Sequence, residues 1–195
     1  MEKSKIEELL IKSGAFLEGH FLLTSGKHSN QYVEKIKLVQ NPHYVKKTIT
    51  ALKDKVKEFD FDTVVSPAMG AIVLGYELAR QMEKRFVFTQ RKNDKMTIRS
   101  GFDLDESSRV LIVEDVITTG GSVKEVVDCI EERKAQIKGI ALVVDRSNGK
   151  ASFNYPTTSL LQMDIENYEP NECPLCKKGI ELEKPGASGK KIFNK

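Results

Sequence analysis

Apolar positions along the chain fall into short β-branched runs that alternate with stretches of helical periodicity. Ile6, Leu9 and Leu10 recur at helical spacing among Lys and Glu in residues 2–13, and Gly14 is placed to end that helix. Residues 14–38 read as two short strands around the turn Ser25-Gly26-Lys27-His28-Ser29, with Gln31–Leu38 alternating in strand fashion. Asn41-Pro42 opens a helix that runs to about Phe59. Residues 61–66 are a buried strand, Pro67–Gly70 a turn, and Ala71–Met82 a helix with Ile72, Leu74, Leu78 and Ala79 inward. Residues 85–90 form the next strand, and 91–108 are polar, charged and non-periodic. Val110–Val113 is a further buried strand. A helix with Val123, Val126, Val127 and Ile130 on one face follows it, and the last apolar strand is 137–145.

This alternation predicts right-handed βαβ units: an α/β fold with a central, mainly parallel sheet flanked by helices. Residues 43–145 form the core, and 1–42 and 146–195 flank it within a single compact domain. Ligands in such sheets sit beyond the carboxyl ends of the strands, so Ser66, Gln90, Glu114 and Asp145 should line one cleft. No internal repeat is evident. The tail 184–195, rich in Gly, Lys and Ser, is expected to be ragged.

Composition narrows the function classes. The 195 residues are 39% hydrophobic and 30% charged, ordinary for a globular protein with a real core. A net charge of +3 is too weak to argue for nucleic acid. No run approaches the ~18 apolar residues of a membrane helix. The first residues, MEKSKIEELL, lack an apolar signal region. Three cysteines give no disulfide framework, so a reducing cytoplasm is expected.

The richest chemistry lies in Arg109–Ser122, RVLIVEDVITTGGS. Two acids, Glu114 and Asp115, follow the apolar strand. Thr118, Thr119, Gly120, Gly121 and Ser122 then open the helix. A loop opening a helix offers unpaired N–H groups and the positive dipole end, which suit an anion. Carboxylates repel that anion but suit ribose hydroxyls or a metal. Together they outline a site for a ribose 5-phosphate. The bland alternative is a strand-to-helix turn in which Thr or Ser merely caps the helix.

Other loops add to this. Ser66-Pro67-Ala68-Met69-Gly70-Ala71 has small residues that let backbone amides approach a second anion, or simply pack closely. The stretch 91–101 carries Arg91, Lys92, Lys95 and Arg99. It is either a solvated charge run or a mobile basic loop that closes over a pyrophosphate. Arg146 offers a guanidinium fork for a planar carboxylate, or makes a surface ion pair. Cys173-Pro174-Leu175-Cys176 reads as half a zinc site, a redox pair or plain thiols. With Cys129 on a distant helix, plain thiols are the simplest reading, and no metal-ligating side chains are assigned.

VLIVEDVITTGGS resembles the phosphoribosyl pyrophosphate (PRPP) signature of type I phosphoribosyltransferases. The order GAFLEGHFLLTSGKHS, SPAMGA, RKxxK, EDVITTGGS and Asp145-Arg146-Ser147 is similar to bacterial and archaeal orotate phosphoribosyltransferases over about residues 8–186. That resemblance implies a type I phosphoribosyltransferase-like core with a small hood built from the N- and C-terminal segments. It also implies a homodimer whose basic loop 91–101 reaches into the partner's site. The implied reaction joins PRPP and orotate, with Mg²⁺, to give orotidine 5′-monophosphate and pyrophosphate in pyrimidine (UMP) synthesis.

By position, the resemblance assigns PRPP and pyrophosphate contacts to Arg91, Lys92 and Lys95. It assigns the PRPP segment to Glu114, Asp115, Val116, Ile117, Thr118, Thr119, Gly120, Gly121 and Ser122. Lys92, Lys95 and Asp115 take catalytic roles, and Thr118 and Arg146 contact orotate. Ser25–Ser29, Tyr32 and Val33 match the hood segment over the orotate ring. Two positions depart from the family pattern: Thr97 where many members have His, and Thr24 where many have Lys. The neighbouring Arg99, Lys27 or His28 are candidates to compensate. The alternatives are a phosphoribosyltransferase for another base, or a non-catalytic PRPP-binding regulator. Neither nucleic acid nor a membrane is an expected partner.

Overall fold

A computed structural model describes residues 3–23 and 25–185. Thr24 and most of the tail from 186 onward lie outside the described residues. The main sheet has six strands in the order β5-β4-β3-β6-β7-β8. They are β3 (Thr63–Pro67), β4 (Arg85–Lys92), β5 (Lys95–Ile98), β6 (Arg109–Ile117), β7 (Gln136–Asp145) and β8 (Thr157–Gln162). All neighbouring pairs are parallel except the edge pair β4–β5. The sheet is therefore mainly parallel and helix-flanked, as the alternating pattern predicts.

Both faces are covered. On one, Ile6, Leu10, Ile49, Leu52, Leu74 and Leu78 pack against Leu111 and Val113 of β6. They come from α1 (Lys3–Lys12), α3 (Pro42–Val56) and α4 (Ile72–Met82). On the other, Val123, Val126 and Ile130 of α5 (Gly121–Glu131) pack against Val110 and Ile112. Every residue from Val110 to Val113 is fully buried, which explains why that strand reads as a continuous apolar run. Asn41 starts α3 by accepting a hydrogen bond from the His43 amide at 3.1 Å, ahead of Pro42 in the first turn.

A second, antiparallel sheet forms the hood: β1 (Phe16–Leu22), β2 (His28–Val33) and β9 (Asn167–Tyr168). A short helix, α6 (Pro174–Lys177), lies beyond it, and Glu183 bridges back to Phe21.

Four sequence expectations change. The strand read over Gln31–Leu38 ends at Val33, and Lys35–Val39 is a helical turn, α2. The Glu34 carboxylate accepts from the Ile36 amide and caps that turn, leaving Ile36 exposed and Leu38 buried. The stretch 91–108 is not wholly irregular, because β4 and β5 form a hairpin across it. Asn93 and Asp94 both take positive φ, the geometry of a tight hairpin turn, while Met96 and Ile98 are buried. The strand expected over Val110–Val113 continues to Ile117, so both acids lie within β6. Finally, β8 pairs with β7 in the main sheet, although it belongs to the segment the sequence reading leaves outside the core.

Candidate active site

The carboxyl ends of β3, β6 and β7 converge where the sequence reading expects a cleft. Glu114 and Asp115 are both buried, at 5% and 2% exposure. Each binds the backbone locally: the Asp115 amide donates to Glu114 Oε1 at 3.0 Å, and the Val116 amide donates to Asp115 Oδ1 at 2.6 Å. Burial, reinforced by the Asp115 charge, pushes the Glu114 carboxyl up to about 8. Burial thus favours the proton-bound form of Glu114, and the ion pair of the site forms on Asp115.

That charge has a partner the sequence reading missed. Lys35 Nζ, from α2, lies 2.8 Å from Asp115 Oδ2. Burial works against the Lys35 ammonium, but Asp115 outweighs it and the group is held above its ordinary range. Gly70 closes the arrangement from the β3–α4 turn. A Cβ there would stand 2.0 Å from Asp115 Oδ2 and 2.7 Å from Lys35 Nζ, so the position admits only glycine without displacing the pair. No local signal marks Lys35 in the sequence. It reads as one more charge on an alternating strand, and only the Glu34-capped turn swings it toward β6.

Beyond β6 the chain forms the loop Thr118-Thr119-Gly120-Gly121-Ser122. Gly120 is the N-cap of α5 with φ 78° and makes no side-chain capping bond. The first amides of α5 are thus left without a side-chain acceptor, while Thr118, Thr119, Gly121 and Ser122 are exposed around them. Among the described residues the start of α5 thus carries no side-chain cap, a geometry that leaves room for an anion at its first amides. Val116 and Ile117 are the last residues of β6 and carry the loop.

Arg146 follows β7, and its amide donates to the Ile117 carbonyl at 2.9 Å, which fixes it beside the loop. Its Nε is buried and has no hydrogen-bond partner among the described residues. Burial lowers the guanidinium from its ordinary value, and nearby Tyr32 opposes that shift. Tyr32 in turn feels Lys35, Arg146 and Asp115, so the hood strand β2 lies over the same cleft.

The basic hairpin is placed differently. Arg91 pairs with Glu125 at 2.7 Å and Lys95 with Glu132 at 2.7 Å, both along α5. Glu132 caps the far end of the 11-residue helix, roughly 16 Å from the Thr118–Ser122 loop. Lys92 is exposed on the same hairpin. Thr97 lies within β5 and donates to the Gln90 carbonyl at 3.2 Å, and Arg99 bonds the Gln90 side chain. Within one chain, then, Glu114–Ser122 and Arg146 come together, but Lys95 does not join them.

Residues 37–174 match the model of the phosphoribosyl transferase domain. The chain is 46% identical over 187 residues to the orotate phosphoribosyltransferase of Caldicellulosiruptor saccharolyticus, covering 96% of this chain and 98% of that protein. The chain belongs to the orotate phosphoribosyltransferase family. It is also 46% identical to the orotate phosphoribosyltransferase of Thermotoga maritima, over 95% of this chain and the whole of the relative. The orotate phosphoribosyltransferase crystal structure from Aeropyrum pernix shares the fold, with TM-score 0.72 at 21% identity over 81% of this chain and 93% of that one. Among the described residues, no helix is long and apolar enough to cross a membrane. The two cysteines read as plain thiols, Cys173 and Cys176, lie against His20 and His28 in the hood.

Proposed function

We propose that this enzyme transfers the 5-phosphoribosyl group of PRPP to orotate, giving orotidine 5′-monophosphate and pyrophosphate for pyrimidine synthesis. The observation that carries the choice of base is Arg146, a half-buried arginine whose buried Nε has no partner among the described residues, beside the uncapped Thr118–Ser122 loop. Its planar fork suits the orotate carboxylate, and an uncharged purine does not call for it.

In this reading the 5′-phosphate rests on the amides and hydroxyls of Thr118–Ser122. Asp115, held by Lys35, faces the ribose hydroxyls, and Thr118 and Arg146 orient orotate. As the C1′–oxygen bond breaks, its electron pair leaves with pyrophosphate and positive charge develops on the ribose. Asp115 opposes that charge. The orotate ring nitrogen forms the new bond to C1′ and releases its proton. Donors fixed before the reaction stabilise charge without reorganising.

The carboxylates bear on the cation this chemistry uses. Burial favours the proton-bound form of Glu114 and Asp115 is already paired with Lys35, so the two make a poor all-protein cage. Asp115 is the residue that would hold Mg²⁺, together with oxygens of the bound substrate. When bound, Mg²⁺ would neutralise charge on the leaving pyrophosphate.

The position of Lys95 along α5 supports a homodimer in which Lys92, Lys95 and Arg91 serve the partner's pyrophosphate site. Free cysteines are consistent with a cytoplasmic setting. Loss of orotate absorbance on addition of PRPP and Mg²⁺ tests the reaction. Turnover with adenine or hypoxanthine but not with orotate overturns it.

A further inference from the structure

Four donor atoms outside the active site converge inside the hood. His20 lies on β1, His28 starts β2, Cys173 precedes α6, and Cys176 lies within it. Their ligand atoms all fall within 4.8 Å of one another. His20 Nε2 is 2.9 Å from His28 Nδ1, 3.4 Å from Cys173 Sγ and 3.7 Å from Cys176 Sγ. Cys176 Sγ is 3.3 Å from His28 Nδ1. A tetrahedral zinc with two sulfur and two nitrogen ligands has ligand–ligand edges of about 3.3–3.8 Å, from Zn–S of ~2.3 Å and Zn–N of ~2.0–2.1 Å. The nitrogen–sulfur distances already lie on or near those edges, and the two nitrogens need part by only a few tenths of an ångström.

The tautomer agrees. His20 Nδ1 lies 2.8 Å from the Ile180 carbonyl, which can only accept, so Nδ1 carries the proton and Nε2 presents its lone pair to the cluster. A carbonyl behind the ring is the second-shell partner that metal-bound histidines use. His20, His28 and Cys173 are buried at 2%, 5% and 1% exposure, so three of the four donors are shielded from water. The Cys-x-x-Cys spacing places both thiols on one turn around the start of α6. No carboxylate belongs to the group, which excludes the oxygen set of Mg²⁺ or Ca²⁺.

We propose that His20, His28, Cys173 and Cys176 bind one zinc ion tetrahedrally, as a structural site that clips the β1–β2 hairpin to α6. Four protein ligands leave no open position, so the ion takes no part in the transfer reaction. Its role follows from how little else holds the hood together. Among the described residues, β9 pairs with β2 at Tyr168–His28 and Asn167–Ser29, and the segment after α6 meets β1 through the backbone of Glu183 and through the Ile180 carbonyl on His20. The linked segments are about 150 residues apart in sequence, so binding energy would become folding energy of the hood. The same β2 strand brings Tyr32 over the active site, and Lys35 follows it directly.

The test uses the full chain without a polyhistidine tag, expressed in zinc-supplemented medium and purified under reducing conditions without chelator. Elemental analysis should give about one zinc per chain, and Co²⁺ exchanged for it should show the intense visible bands of a tetrahedral thiolate site. Cys176, although exposed, should resist a thiol reagent until a strong chelator removes the metal. The double variant Cys173→Ser, Cys176→Ser should lose the zinc, while Cys129→Ser and His28→Cys should keep it. Wild-type protein that holds no zinc after exposure to the ion overturns the proposal, whether or not the double variant folds. So does a Cys173–Cys176 disulfide in protein purified without reductant, detected as a mass lower by two hydrogens.

Discussion

Lys35 Nζ and Asp115 Oδ2 stand 2.8 Å apart, joining a hood-side helical turn to the carboxyl end of the central strand β6. Asp115 is almost fully buried and Lys35 is part exposed, so the lysine is what makes an ionised Asp115 tolerable there. Replacing Lys35 with Met leaves that charge without its partner. We expect kcat/KM for PRPP to fall roughly 100-fold, the scale of a misplaced catalytic group. Lys35→Arg should recover part of the loss. Steady-state kinetics of the two variants checks this, and an unchanged kcat/KM in Lys35→Met refutes the role.

Glu114 gives a pH signature. Its folded carboxyl sits at about 8, above the ordinary value of 4.5. Between those limits the folded chain keeps a proton that the unfolded chain releases. The contribution to stability is therefore full below about pH 4.5 and is lost as pH rises through 8. In Glu114→Gln that loss disappears. The Tm of the variant should gain on wild type steadily from about pH 5 to about pH 9. Parallel melting curves across that range would refute the buried, protonated state.

Arg146 separates the two substrates. Arg146→Ala should raise the KM for orotate roughly 100-fold, the loss of a two-pronged charge-assisted contact, and leave the KM for PRPP within about threefold. Arg146→Lys should restore little, because an ammonium lacks the planar fork. An equal rise in both KM values would place Arg146 outside the orotate subsite.

Lys95 tests the shared site. Lys95→Ala should lower kcat by roughly 100- to 1,000-fold, the scale of one lost transition-state donor, with Tm little changed because its surface pair with Glu132 is worth little. Mixing Lys95→Ala with Arg146→Ala chains should restore activity, since one of the two mixed sites then has both groups intact. No recovery after verified subunit exchange contradicts action in trans.

Much of the framework is legible in the chain because its signals are local. Val110–Val113 marks a two-sided buried strand, Asn41-Pro42 caps α3, and Thr118–Ser122 stands at an uncapped helix start. The hairpin β4–β5 also has local signs, the Asn93-Asp94 turn and the alternating Met96 and Ile98, but the surrounding cations mask them. Lys35 and the His20–His28–Cys173–Cys176 group are different. Their meaning depends on partners 80 to more than 140 residues away, a relation that periodicity and turn chemistry do not encode.

The most direct measurement is a competition. The enzyme is incubated with PRPP, Mg²⁺ and equal amounts of orotate, uracil, adenine and hypoxanthine, and the nucleotides are separated by chromatography. The account predicts orotidine 5′-monophosphate as the product, formed in step with pyrophosphate. Formation of adenosine or inosine monophosphate without orotidine 5′-monophosphate would contradict it.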